Sequence, residues 1–142
     1  MELYRGLDEG SRGSLIRDIT GRPGKKLGIH WTDNPETAEV FAQPHRFDEN
    51  REPVVHPALS KMQFGTIIHG DVSPKDVVTE DSPEWKNLAT EHQIYGHEAE
   101  DEVTARPGAT VKVVALERKT SDPSGKERTR MVRFKPPRKM KA

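Results

Sequence analysis

Glu98–Leu116, EAEDEVTARPGATVKVVAL, is the stretch on which the reading of this chain turns. It opens with carboxylates at alternate positions, Glu98, Glu100 and Glu102. It turns at Arg106-Pro107-Gly108 and runs on into Val111, Val113, Val114 and Leu116. A strand that begins at Glu102 and Val103 sends successive side chains to opposite faces, so Glu100 and Glu102 point the same way. Carboxylates side by side on a strand end repel unless a cation or a proton-bearing group lies between them. The pair therefore reads as one wall of a substrate site.

Working outward, the chain of 142 residues is most simply one domain, taken as 1–135, with a basic C-terminal tail, 136–142. Apolar residues make up 32% and the mean hydropathy is −0.86, which is lean. The net charge of zero keeps the chain out of the disordered class. No run is long and apolar enough to span a membrane, and MELYRGLDEG has no signal-peptide centre. The chain has no cysteine, which excludes disulfides, thiolate catalysis and cysteine-ligated zinc. The default expectation is a cytoplasmic protein. The zero net charge hides a division. Residues 118–142 carry ten Lys and Arg against Asp122 and Glu127, a balance of +8 that leaves −8 for 1–117. A basic end on an acidic body suits a polyanion such as nucleic acid. It equally suits pairing with the body itself, and Phe134 alone offers no stacking series.

In chain order, Leu3-Tyr4-Arg5-Gly6 reads as a first strand ended by Asp8-Glu9-Gly10, and Ser11 to Ile19 as a short helix. The breakers of residues 21–26 make a loop. Gly28 to Thr32 is a second strand. Asp33 then caps a helix with Pro35 in its first turn, Glu36 three residues after the cap, and Ala38, Phe41 and Ala42 as its buried stripe. His45 to Gln63 is a long loop, Gly65 to Val72 a strand, Ser73 to Asp76 a turn and Val77-Val78 a short extended piece. Ser82 caps a helix with Pro83 at its first position and Trp85, Leu88 and Ala89 inward. Residues 90–100 form a loop that delivers the chain to the carboxylates. Residues 110–119 and 127–135 form a final hairpin about the turn at 121–125, and Pro136-Pro137 ends it. The fold class is α+β with strands in the majority.

Taken singly, Arg5, His30-Trp31-Thr32 and Glu100/Glu102 are ordinary: an ion pair, a core strand, solvated acids. In this order along the chain they resemble the mono-ADP-ribosyltransferases of the arginine–serine–glutamate class, the group that includes bacterial toxins and bacteriophage enzymes. LYRG is similar to that family's first-strand arginine context. DNPETAEVFA is similar to the helix after its second strand. EDEVTARPGATVKVVAL is similar to its Glu-x-Glu block. The resemblance implies an ADP-ribosyltransferase-like split β-sheet core with a few short helices. It implies NAD as a substrate, no metal, and transfer of ADP-ribose to an arginine of a target protein with release of nicotinamide. Glu102 is then the catalytic carboxylate that holds the ribose 2′-hydroxyl, and Glu100 faces the acceptor guanidinium. Arg5 holds NAD phosphate or ribose, and Gly6 lets backbone approach the nicotinamide amide. His30, Trp31 and Thr32 stand where the family has Ser-Thr-Ser, so His30 takes over the orienting of Glu102 and Thr32 keeps a hydroxyl.

The chemistry suits these residue types. Breaking the bond between nicotinamide and ribose develops positive charge on the sugar, and a fixed carboxylate favours that state over the ground state. A guanidinium acceptor matches a carboxylate in shape and charge, and must lose a proton to become a nucleophile. The remaining histidines, His45, His56, His69, His92 and His97, lack metal-ligand spacing and read as surface or loop residues, with His92 and His97 near the acceptor. Lys25 and Lys26 read as a solvated loop that also suits a diphosphate. With no G-x-G-x-x-G after a strand and no P-loop, NAD binding is not of the Rossmann type. The alternative is a binding module of the same fold without catalysis, holding nucleic acid or a protein through the basic C-terminal region.

Overall fold

Alternating apolar positions with β-branched residues make strands the commonest element among the described residues, and glycines and prolines place the turns. The computed structural model describes residues 1–10, 13, 15–21, 25–42, 62–92, 102–122, 124 and 126–142. The strands are β1 (Glu2–Gly10), β2 (His30–Thr32), β3 (Gln63–Val72), β4 (Val77–Val78), β5 (Glu102–Ala105), β6 (Thr110–Ser121) and β7 (Glu127–Lys141). The helices among the described residues are α1 (Leu15–Gly21), α2 (Pro35–Ala42) and α3 (Trp85–His92), with a 3₁₀ turn at Pro74–Asp76. The protein is thus mixed α+β, mostly one antiparallel sheet of seven strands in the order β4-β5-β2-β1-β3-β6-β7.

Neighbouring residues on a strand serve opposite faces. Ile68 joins Leu3, Trp31, Val72, Val113 and Leu116 in the main core, where α1 adds Leu15 and Ile19. Ile67, one residue earlier, packs with Tyr4, Ala38 and Ala42 beneath α2. Trp85, Leu88 and Ala89 of α3 lie partly buried against the main core. The sheet is continuous, yet the β1–β2 ladder has one registered pair, Tyr4 with Thr32. Beyond Tyr4 the two strands part, and that parting sets the position of the site.

Several expectations are corrected. The first strand does not stop at Asp8-Glu9-Gly10; it runs through them to Gly10 with a bulge in its pairing to β3. The cap of α2 is Asn34 and not Asp33. Asn34 Oδ1 accepts the Glu36 N–H at 3.0 Å and its carbonyl accepts the Ala38 N–H at 3.2 Å, because Pro35 is the first helical residue. Phe41 is not part of the buried stripe but 58% exposed. Ala38 and Ala42 press the helix so close to the sheet that a large side chain is turned out to its flank. At Gly6 an added Cβ would stand 1.8 Å from the Ala38 carbonyl oxygen, and at Gly65 1.6 Å from that of Ala42.

Ser82 does not cap α3 with its hydroxyl. Its Oγ accepts the Thr79 N–H at 3.0 Å, its carbonyl accepts the Trp85 N–H at 3.1 Å, and Pro83 lies in the preceding turn. Pro136-Pro137 does not end the last strand, and 136–142 is not a tail. Val113 pairs with Arg138 and Ala115 with Arg133, so the prolines sit in a wide bulge of the sheet-edge strand, where no ladder donor is required. Met140 and Ala142 beyond them are buried in the core. Of the long loop expected from His45 to Gln63, Gln63 already opens β3, and 45–61 lie outside the described residues.

Candidate functional site

The parting of β1 from β2 leaves a cleft of about 370 Å³. Arg5, Gly6 and Leu7 enter it from β1 and His30, Trp31 and Thr32 from β2. Glu102 enters from β5, which is held beside β2 by the Thr32–Glu102 and His30–Thr104 register. Helix α2 closes one side with Thr37, Ala38 and Phe41, and His92 reaches it from the end of α3. All six described residues expected at the site, Arg5, Gly6, His30, Trp31, Thr32 and Glu102, line this one cleft. Glu100, expected beside Glu102, lies outside the described residues, as do Glu98 and His97.

Glu102 and His30 lie diagonally across the β2–β5 ladder, on one face, and the His30 Nδ1 is hydrogen-bonded to Glu102 Oε1. The Glu102 side chain is 9% exposed and that of His30 42%. A carboxylate so enclosed keeps a fixed direction, and a neutral imidazole that donates from Nδ1 presents Nε2 as an acceptor.

Arg5 Nη1 donates to the Leu27 carbonyl at 2.6 Å. Gly28, at φ 87°, makes room for it, since a Cβ there would stand 2.2 Å from Arg5 Nη1. Burial pushes the Arg5 guanidinium below its ordinary pKa, and the Glu102 carboxylate opposes the shift. The cation and the anion of the cleft thus sense each other while each is anchored separately.

The other expected residues have structural duties as well. Gly6 admits α2 to the sheet. The Trp31 ring belongs to the main core, its Nε1 donating to the Gly28 carbonyl at 2.9 Å. Thr32 is buried and its Oγ1 accepts the Asn34 N–H at 3.1 Å, which fixes the entry to α2. Lys25 is bound to Asp18, and Lys26 bridges Lys141 at the sheet edge. His69 lies on β3, within the strand expected from Gly65 to Val72, and is half-buried and not at the surface. Its ring meets Tyr4 edge-on at 5.1 Å, and Nε2 lies 3.7 Å from Glu117 Oε2.

Sequence reasoning missed Tyr4, Leu7, Thr37 and Phe41 as cleft residues. An apolar or polar position in an amphipathic pattern carries no sign that it faces a cleft. Phe41 gave no such sign either: its spacing from Ala38 and Ala42 reads as buried, and only the close seat of α2 on Gly6 and Gly65 turns it out. Among the described residues no group of His, Asp and Glu is arranged to hold a metal ion, and no helix is long and apolar enough to cross a membrane. Set against family models, curated proteins and solved structures, the chain gives no significant match.

Proposed function

We propose that the protein is an NAD-dependent mono-ADP-ribosyltransferase that modifies an arginine of a target protein, working in a bacterial or host cytoplasm. The observation that carries this reading is the meeting of Arg5, His30 and Glu102 in one cleft, with Glu102 held by His30. These residues come from three separate parts of the chain. The single-pair junction between β1 and β2 supports an ADP-ribosyltransferase-like split sheet, because it lets the two halves part around a ligand.

In this reading Arg5 binds the NAD diphosphate or ribose with its forked donors. Phe41, exposed on the cleft wall, offers a ring for stacking. Glu102 accepts a hydrogen bond from the ribose 2′-hydroxyl. As the C1′–N bond to nicotinamide breaks, the bonding pair leaves with nicotinamide and the sugar becomes cationic. The enclosed carboxylate stabilises that state most because little water competes for it. A guanidino nitrogen of the acceptor then bonds C1′ and gives up its proton to a carboxylate, the role of Glu100. In the absence of acceptor, water takes the same place, so slow NAD hydrolysis accompanies transfer. Nicotinamide release from NAD by the wild type and by Glu102→Gln tests the reading: equal rates end it.

A second reading is favoured by β7. Arg128, Arg130, Arg133, Lys135, Arg138 and Lys139 line an exposed strand at the sheet edge. A binding module without catalysis would hold nucleic acid there. Retention on DNA that falls steeply with salt, with no NAD turnover, would select it.

A further inference from the structure

Glu102 lines a second cleft as well as the first. This one, of about 360 Å³, lies at the β4–β5 end of the sheet and is bounded by Met1, Val77, Val78, Thr79, Glu80, Trp85, Val103 and Thr104. Helix α3 flanks both clefts: Trp85 at its start faces the second and His92 at its end the first. Seven residues of helix separate them, about 10 Å at 1.5 Å per residue.

We infer that the second cleft is the acceptor subsite, where the guanidinium side chain of the target is held while its tip reaches C1′ beside Glu102. The inference rests on the transferase reading of the first cleft. Four features point to this ligand. Exposed Glu80 and enclosed Glu102 both line the cleft, so it carries two carboxylates and suits a cation. Trp85 supplies a partly buried indole face, the best side-chain partner for a flat cation. Val77, Val78 and Val103 give apolar walls for a three-carbon stem. Thr104 also lines the cleft, its buried hydroxyl has no hydrogen-bond partner among the described residues, and a guanidinium is rich in donors.

The cleft is also built to keep its shape. Arg106 donates from Nη2 and Nε to Glu84 Oε1, at 2.6 and 3.1 Å, and from Nη1 to the Lys75 carbonyl at 3.0 Å. Glu84 is the neighbour of Trp85, so the arginine of the Arg-Pro-Gly turn ties the start of α3 to the segment before β4. The N-terminal ammonium of Met1 is paired with Asp71 Oδ1 at 2.9 Å, which offsets its charge beside the cleft.

Chemically the subsite completes the proposed displacement. The guanidino nitrogen supplies the pair that forms the new C1′–N bond, nicotinamide leaves with the pair of the old one, and the nitrogen's extra proton passes to a carboxylate. Trp85 and Glu80 position the acceptor and touch neither NAD nor the reacting carbon.

The test uses the full chain with agmatine as acceptor and NAD as donor. Trp85→Ala should raise the agmatine KM by roughly threefold to thirtyfold, the range expected for a cation–π contact, and Glu80→Gln by roughly twofold to fivefold, the range of an exposed ion pair. Nicotinamide release without acceptor should change less than about twofold, and Trp85→Phe should recover most of the agmatine KM. An unchanged agmatine KM in both variants overturns the subsite, as does a parallel loss of nicotinamide release. If the wild type releases no nicotinamide, the transferase reading has failed. An agmatine titration followed by the part of the indole signal that Trp85→Phe removes then decides the subsite without NAD, since Trp31 also carries an indole: no shift overturns it, and a shift that needs more agmatine in Glu80→Gln supports a guanidinium site.

Discussion

Glu102 is the residue on which the proposed chemistry depends, and its neighbours decide how much it can do. Its side chain is 9% exposed, bonded by His30 and within the field of Arg5. Glu102→Gln keeps the shape and an acceptor oxygen for His30 but removes the charge. Nicotinamide release should fall by about 10²-fold or more, as when a preorganised electrostatic contact is lost, with the melting temperature little changed. A hydrogen bond to a charged group contributes about 1.5–3 kcal/mol, so His30→Ala should slow release about tenfold or more. His30→Ser keeps a hydroxyl donor and should recover part of that loss. Matching rates for the alanine and serine variants would show that His30 does not orient the carboxylate.

At the scale of the element, α2 joins the fold to the site. Its seat is two glycines, Gly6 on β1 and Gly65 on β3, under the carbonyls of Ala38 and Ala42. Thr37, Ala38 and Phe41 of the same helix line the cleft. Gly6→Ala or Gly65→Ala drives a methyl into backbone oxygen that cannot rotate away. Either should cost about 3 kcal/mol or more, at the upper end of overpacking, and displace the cleft wall. Thermal unfolding and NAD binding measured together check this: a fall in stability with unchanged NAD affinity would separate the helix seat from the site. The β6–β7 turn gives a prediction in pH. Asp122 accepts hydrogen bonds from the Ser124 hydroxyl and from the backbone N–H of Ser124 and Lys126, which hold its pKa below the ordinary aspartate value. A depressed carboxylate pKa means that the contribution to folding is fully present above the unfolded value. It is lost as pH falls through the folded one, below about pH 4. Hydrogen exchange of the turn amides should therefore quicken below that pH, and Asp122→Asn should flatten the response.

For the whole molecule, the C-terminal strand is the element whose role changed most. Met140 is 2% exposed and pairs with Val111, the Lys141 carbonyl accepts the Leu27 N–H at 2.7 Å, and Ala142 exchanges hydrogen bonds with Gly108 and Ala109. Deleting 136–142 should unfold the protein or lower its stability sharply, and Met140→Ala alone should cost about 2–5 kcal/mol. Urea unfolding measures both; a truncated chain as stable as the full one would restore the reading of this segment as a tail. The same strand carries the charge that favours nucleic acid. Replacing Arg128, Arg130 and Arg133 with glutamine should weaken retention on DNA and flatten its salt dependence, leaving nicotinamide release untouched if the two surfaces act separately.

What the sequence determined by itself was local in cause. Pro107-Gly108 set a turn whatever followed, Val111 to Leu116 demanded a strand, and the carboxylate spacing at Glu100 and Glu102 marked an unusual place before any contact was known. The near termini of elements were legible for the same reason: Pro35 and Ser73-Pro74 act on their own backbone. Tertiary structure decided what depends on distance through space. It brought Arg5, His30 and Glu102 together across a sheet order that no single window of sequence contains. It turned Phe41 from core to cleft because two glycines far apart in the chain let α2 sit too close for it. It carried β7 through Pro136-Pro137 because a sheet edge does not require the hydrogen-bond donors that proline lacks. It also placed Glu102 between two clefts, since β5 is hydrogen-bonded to β2 on one side and to β4 on the other.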